Sequence, residues 1–279
     1  MSKPVKKALL VGLNKYHPSL NADLRGCVND VKHMYDLLVQ IYKFPADNVR
    51  VICDERATKG DILGRLKWLV ENAPAGSELV FQYSGHGSQV RDRNGDELND
   101  GLDEILCPYD LDWNLPLTDD IIAGWFRQVN PKAYLTMICD ACHSGTMTRG
   151  GLSNPDLETH NHSSNARYLQ APFDVGSRAL GRELPTRKIG KHKKGEVKQK
   201  HVLLSGCKDN QTSADAYINN RYQGAMTYSF LTSLAKNRGA TWKEVYSQLY
   251  STIKKMGFSQ KPQLSGMEKL LNRKVFGGV

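Results

Sequence analysis

The sequence predicts an α/β protein with a mostly parallel central sheet flanked by helices. Short apolar runs of strand length alternate with longer segments whose apolar residues recur at helical spacing, the order that builds parallel strands with helical crossovers. The first run, Ala8–Leu13, is continuously apolar, as a buried strand is. With 279 residues, the chain is long enough to bury a substantial core.

The elements follow in order. After the strand Ala8–Leu13, residues Asp23–Tyr42 carry Val28, Val31, Met34, Tyr35, Leu38 and Ile41 on one helical face. Val49–Cys53 is a second strand, and Lys59–Asn72 an amphipathic helix with Ile62, Leu66, Leu69 and Val70 inward. Leu79–Tyr83 is a third strand. Asp92–Glu104 reads as an acidic loop, and Ile105–Cys107 as a short strand. Asp119–Val129 is a helix capped by Thr118, and Tyr134–Cys139 another strand. Gly145–Gln199, rich in Ser, Asn, Gly, Pro and Lys, lacks periodicity and reads as a long irregular excursion. Regular structure resumes with the strand His201–Leu204 and the helices Ala225–Lys236 and Thr241–Met256. The expected organisation is one domain over residues 1–279. Residues 1–145 form its larger part, 146–199 an irregular excursion with a basic linker, and 200–279 its smaller part.

Charge excludes one class of function. The formal net charge is +9, but residues 182–200 hold eight Lys or Arg against two acids, so one segment carries most of the excess. The rest is near neutral, and the whole is not read as a nucleic-acid binder. No run reaches membrane-spanning length, and the apolar run near the N-terminus is too short for a secretory core. The six cysteines sit mostly in apolar runs, where a free thiol packs as a small hydrophobe, so a reducing cytoplasm is expected.

In parallel sheets the ligand crevice lies beyond the carboxyl ends of the strands. Ser84-Gly85-His86-Gly87 follows one strand and Asp140-Ala141-Cys142-His143-Ser144-Gly145 follows another. Both turns open on the same edge, which sets the His86 imidazole opposite the Cys142 thiol, an arrangement for nucleophilic catalysis. The N–H groups of Gly87 and Cys142 are candidates for an oxyanion hole. His143 is a weaker base candidate, because adjacent side chains on an extended turn diverge. Cys139-Asp140-Ala141-Cys142-His143 also spells a haem-attachment pattern, but it leaves a strand and no export signal precedes it.

These residues resemble the catalytic motifs of the metacaspases and their bacterial relatives. Leu24-Arg25-Gly26-Cys27-Val28-Asn29-Asp30 and the run Ser205–Asp215 are similar to two further motifs of that family. The resemblance implies a caspase-haemoglobinase fold and a cysteine endopeptidase that cuts proteins or peptides after Arg or Lys through a Cys–His dyad and a thioester. It implies a specificity pocket lined by Asp30 and Asp140 with Cys27 and Ser84 beside them; paired carboxylates account for a cationic preference. The other class weighed is a catalytically silent binding module on the same scaffold, disfavoured because dyad and pocket acids are all present. Self-cleavage is expected in the basic linker, after Arg182, Arg187, Lys188, Lys191, Lys193 or Lys194. The protein is expected to act as a monomer, without a nucleic-acid or membrane partner.

No cofactor is expected to be required, although calcium is considered. The acidic residues from Asp92 to Glu104 lack the Gly of an EF-hand, since Glu97 stands at the sixth position. The resemblance implies a calcium site at Asp103 and Asp119, with Asp120 adjacent. Thr118 and Arg149 stand where acids are expected, and the Arg149 guanidinium would repel the ion, so calcium-independent activity is expected.

Overall fold

The computed structural model describes residues 2–91, 102–142, 164–172, 175, 200–207 and 211–278. In chain order the elements that position the site are β1 (Lys6–Gly12), α1 (Cys27–Asp36), β2 (Val49–Cys53), α2 (Lys59–Val70), β3 (Glu78–Ser84), β4 (Gly87–Arg91), β5 (Leu102–Leu106), β6 (Leu117–Thr118), α3 (Asp119–Phe126) and β7 (Tyr134–Asp140). They continue with β8 (Ser164–Ala166), β9 (Val202–Ser205), β10 (Ala214–Ile218), β11 (Arg221–Gly224), α4 (Ala225–Lys236), α5 (Trp242–Lys255) and β12 (Gln263–Ser265). The central sheet has the order β12-β9-β7-β3-β1-β2, parallel throughout except for the antiparallel edge strand β12. Among the described residues two further sheets have three strands each, β4-β5-β6 and β11-β10-β8.

The continuous apolar character of the central strands has a physical cause in this layering. Successive side chains point to opposite faces, and both faces are covered. Ala8 and Leu10 of β1, Val80 of β3 and Ile138 of β7 join the core formed with α1, α4 and α5. Leu9 and Val11, Phe81 and Cys139 join the opposite core against α2 and α3.

Side-chain oxygens start three helices, at Thr118 as expected and at Thr58 and Thr241 besides. Thr58 and Thr118 accept from Asp61 N and Ile121 N, and Thr241 forms a reciprocal capping box with Glu244. α1 is capped from a distance, since Asn14 Oδ1 accepts from Cys27 N at 2.8 Å and from Val28 N at 3.3 Å. That corrects the helix expected from Asp23: residues 23–26 are held otherwise, with the N–H groups of Arg25 and Gly26 donating to Asp215. At its other end the helix widens into a π-turn over Leu37–Ile41.

Further differences matter for the site. Residues 102–104 are not loop but the first part of β5, paired antiparallel with β4. Within the expected irregular excursion, Ser164–Ala166 form β8, antiparallel to β10. A three-residue strand added to an edge carries too few residues to show a period. The strands β4, β10, β11 and β12 were also not evident in the sequence. Among the described residues no helix is long and apolar enough to cross a membrane.

Phe276 near the C-terminus closes the α4–α5 face. Its ring stands edge-on to those of Tyr42, Phe44, Phe230 and Trp242, with centroids 5.1 to 6.3 Å away. Phe276→Ala is expected to cost about 3 to 5 kcal/mol, the range for emptying a buried aromatic site. Urea unfolding of the variant beside the wild type measures it, and a loss below about 1 kcal/mol would contradict this packing.

Candidate active site

Register brings the two turns together. Ser84 at the end of β3 pairs with Asp140 at the end of β7. His86 and Cys142 each lie two residues beyond that pair, so both stand past the same sheet edge. The His86 turn is locked by neighbours: His86 N donates to the Tyr16 hydroxyl at 2.6 Å, and His86 O accepts from Tyr83 Oη at 2.8 Å and Cys107 N at 3.1 Å. The imidazole Nε2 lies 2.7 Å from Ala22 O, while Nδ1 is buried without a hydrogen-bond partner. A carbonyl can only accept, so Nε2 carries the proton and Nδ1 keeps its lone pair. Burial pushes the His86 pKa down to about 4, although the carbonyls of Ala22 and Arg167 favour the charged ring. The Cys142 thiol is fully buried, and its Sγ accepts from Ser213 N at 2.6 Å.

The acids converge from three elements. Asp30 lies on α1, Asp140 ends β7, and Asp215 lies on β10. The fully buried Arg167 stands among them. Its Nη2 is 2.8 Å from Asp30 Oδ2 and 3.0 Å from Asp215 Oδ1, and its Nη1 is 3.3 Å from Asp140 Oδ2. Each carboxylate is also held by fixed donors: Gly224 N on Asp30, Ser213 Oγ, Thr227 N and Thr227 Oγ1 on Asp140, and Arg25 N and Gly26 N on Asp215. Burial raises Asp30 to about 7, with Arg167 opposing the rise and Asp140 adding to it. Cys27 adjoins the cluster electrostatically, and Ser84 is buried beside Asp140 in the sheet register.

Two glycines permit this close approach. A Cβ on Gly224 would overlap the Asp140 carboxylate and stand 2.6 Å from Arg167 Nη1. One on Gly26 would overlap the Asp215 carboxylate.

The backbone of Arg167 is held as firmly as its side chain. Its carbonyl oxygen accepts from both Gly87 N and Cys142 N, each at 3.1 Å, and its N–H donates to Ser213 O at 3.0 Å. Leu169 N donates to Gly87 O at 3.0 Å. Upstream, Ser164, Asn165 and Ala166 pair with Ala216, Asp215 and Ala214.

The structure therefore brings together His86, Gly87, Cys142, Cys27, Asp30, Ser84 and Asp140. Sequence reasoning missed Asp215, Arg167 and the Ala22 carbonyl. Asp215 ends a motif already singled out, and its acidity was the usable signal. Nothing in the sequence ranks Arg167 above Arg178 or Arg182. The residues expected for self-cleavage, Arg182 through Lys194, lie outside the described residues, as do His143 and Arg149.

Asp103, Asp119 and Asp120 lie apart from this cluster, on β5 and at the start of α3. Burial raises Asp119 to about 6, with Glu104, Asp120 and Asp103 adding to the rise. Asp119 and Glu104 border a cavity of about 270 Å³ whose other walls include the apolar Ile122, Phe126, Met137 and Leu203. Calcium takes six to eight oxygen ligands. Among the described residues no three His, Cys, Asp or Glu side chains are grouped to hold an ion.

A thiol and an imidazole past the carboxyl edge of a parallel sheet, with two N–H groups converging on one carbonyl oxygen, are the equipment of a cysteine-type endopeptidase. Comparison with known proteins specifies which. The metacaspase peptidase C14 domain profile matches residues 6–149, and the chain belongs to the metacaspase family. It is 33% identical over 285 residues to metacaspase-1 of Pyricularia oryzae, covering 93% of this chain and 71% of that protein. It is 35% identical over 286 residues to metacaspase-1 of Scheffersomyces stipitis, covering 93% and 70%. A crystal structure of a Geobacter sulfurreducens protein superposes with a TM-score of 0.68 over 99% of this chain and 100% of its own, at 24% identity, a likeness of fold.

Two titrations should mark the cluster. The unfolded chain protonates His86 near 6.5 and the folded chain near 4, so this residue costs stability as pH falls through that window. Asp30 acts oppositely: its folded value near 7 lies above the ordinary 3.8, so its contribution is lost as pH rises from 3.8 through 7. NMR titration of Cys142→Ala protein is expected to place the His86 ring near 4 and the Asp30 carboxyl near 7. A His86 midpoint at or above 6.5 would contradict the buried neutral ring.

Proposed function

We propose that this metacaspase cuts protein chains after Arg or Lys, with Cys142 as nucleophile and His86 as base and acid. The observation that carries this reading is the seating of Arg167, with its side chain among three carboxylates and its carbonyl oxygen between two N–H groups. The Cys142 thiol passes its proton to His86 Nδ1 as the sulfur adds to the carbonyl carbon, and the developing oxyanion is met by Gly87 N–H and Cys142 N–H. His86 Nδ1 then protonates the leaving amine, which departs and leaves a thioester on Cys142. His86 next takes a proton from water, whose attack releases the new carboxylate and restores the thiol. The Ala22 carbonyl holds the ring in the tautomer this sequence of steps uses. All six cysteines are unpaired thiols, which suits a reducing cytoplasm.

Cys142→Ala and His86→Ala are each expected to lower hydrolysis of Arg or Lys peptides by about a thousandfold or more, with the fold retained by circular dichroism. Asp140→Ala and Asp215→Ala should each lower kcat/KM on Arg peptides by about a hundredfold, the scale of a lost buried ion pair. Peptides with Asp before the scissile bond should be ignored, because a carboxylate there would face three others. Activity retained in Cys142→Ala, or preferential cleavage after Asp, would overturn the reading.

We further propose that this activity does not depend on calcium: Arg149 stands where an acid is expected, and among the described residues no three acidic, His or Cys side chains are grouped to hold an ion. Peptide hydrolysis in excess chelator should equal that in millimolar calcium. A large rise on adding calcium, removed by Asp103→Ala, would show the opposite.

A further inference from the structure

Resting on the peptidase reading, we infer that the Arg167–Tyr168 bond is this enzyme's first substrate, and that Ser164–Leu169 fill the cleft as a bound substrate until that bond is cut. Each contact a peptide substrate would make is made here by the chain itself. Ser164–Ala166 add to the edge of β10 as an antiparallel strand, the way extended peptides dock on sheets. Arg167 N donates to Ser213 O, and the guanidinium meets Asp30, Asp140 and Asp215. The carbonyl to be attacked is held at 3.1 Å by the two N–H groups that flank the dyad. Beyond the bond, Leu169 N anchors on Gly87 O, so the strand is fixed on both sides of Arg167–Tyr168.

Occlusion follows from the same contacts. His86, Cys142, Asp30, Asp140 and Asp215 are all buried, and Arg167 is 0% exposed. A foreign Arg side chain has no path to the acids while Arg167 occupies them. Self-cleavage converts the Arg167 carbonyl to a carboxylate and Tyr168 N to a free amine, with one water consumed. The seat is then held by a chain end rather than a continuous strand, and that end can leave. The fragments 1–167 and 168–279 should stay together, because β7 of the first pairs with β9 of the second.

The seated segment also describes the foreign chains this cleft takes: extended, with Arg at the cut, a small residue such as Ala166 before it and a large one such as Tyr168 after it. A fluorogenic peptide with the sequence Ser-Asn-Ala-Arg before the fluorophore is therefore the probe.

The experiment follows intact mass and peptide hydrolysis together in wild type, Cys142→Ala, Tyr168→Pro, Arg167→Lys and Arg167→Ala. Wild type is expected to yield a new N-terminus at Tyr168, with peptide hydrolysis rising about tenfold or more as the cut proceeds, since only the freed fraction is competent. Cys142→Ala stays whole. Tyr168→Pro keeps Arg167 seated but offers a tertiary amide, so it stays whole and hydrolyses the peptide at under about a tenth of the cut wild-type rate. Arg167→Lys, which keeps a cation, is cut at the same bond. Arg167→Ala is not cut there, and if it folds it hydrolyses the peptide without a lag. Wild type that remains whole yet hydrolyses the peptide fully from the outset would overturn this inference and leave the peptidase reading standing. So would cutting confined to residues 182–194. A wild type and an Arg167→Lys variant that neither self-cleave nor hydrolyse any Arg peptide would overturn the peptidase reading itself.

Discussion

Three carboxylates from α1, β7 and β10 meet out of water around one guanidinium, and much of the remaining geometry answers to that meeting. Like charges about 4 Å apart repel by about 4 kcal/mol even at an effective dielectric constant near 20, so three acids cannot share this space as bare anions. Two things offset the repulsion. Backbone and hydroxyl donors from Arg25, Gly26, Ser213, Gly224 and Thr227 fix the oxygens. Arg167 supplies the cation, and Asp30, held by fewer fixed donors, has its carboxyl pushed up to about 7 by burial. The planar guanidinium of Arg167 reaches all three acids from its two terminal nitrogens.

The same residue couples charge recognition to position. One side chain and one carbonyl of Arg167 reach the acids and the two N–H groups at once, because both belong to the same residue of an extended strand. When the cation is seated, the carbonyl lies between Gly87 and Cys142 without further adjustment. Binding free energy from the charged end is thus available to orient the carbonyl, where orientation alone is worth several kcal/mol.

The scaffold reaches this precision through sheet register. β3 and β7 are paired residue for residue from Glu78 and Tyr134 to Ser84 and Asp140, and the two turns leave from that last pair. A slip of one residue would turn alternate side chains to the other face and part His86 from Cys142. Both cores oppose such a slip, since Val80 and Ile138 are buried on one face and Phe81 and Cys139 on the other. Small residues serve the same end: Gly26 and Gly224 let carboxylates and backbone approach where a methyl group would collide.

Much of this was legible in the sequence because it is local. Continuous apolar runs mark strands covered on both faces, Thr118 marks a helix start, and the Gly-flanked turns after β3 and β7 mark the edge where His86 and Cys142 stand. Short antiparallel strands such as β8, β10 and β11 are too brief to show a period, and their pairing depends on partners far along the chain. Asp215 was written in a motif, but its meeting with Asp30 arises only when β10 is brought against the Arg25–Gly26 turn before α1, which no spacing encodes. Arg167 stands at the far end of that scale. The sequence by itself determined the fold class, most helices and the two turns that carry His86 and Cys142, because each rests on neighbouring residues. Only the tertiary structure decided which of many basic residues fills the acidic pocket, because that choice depends on which carboxylates and N–H groups converge in space.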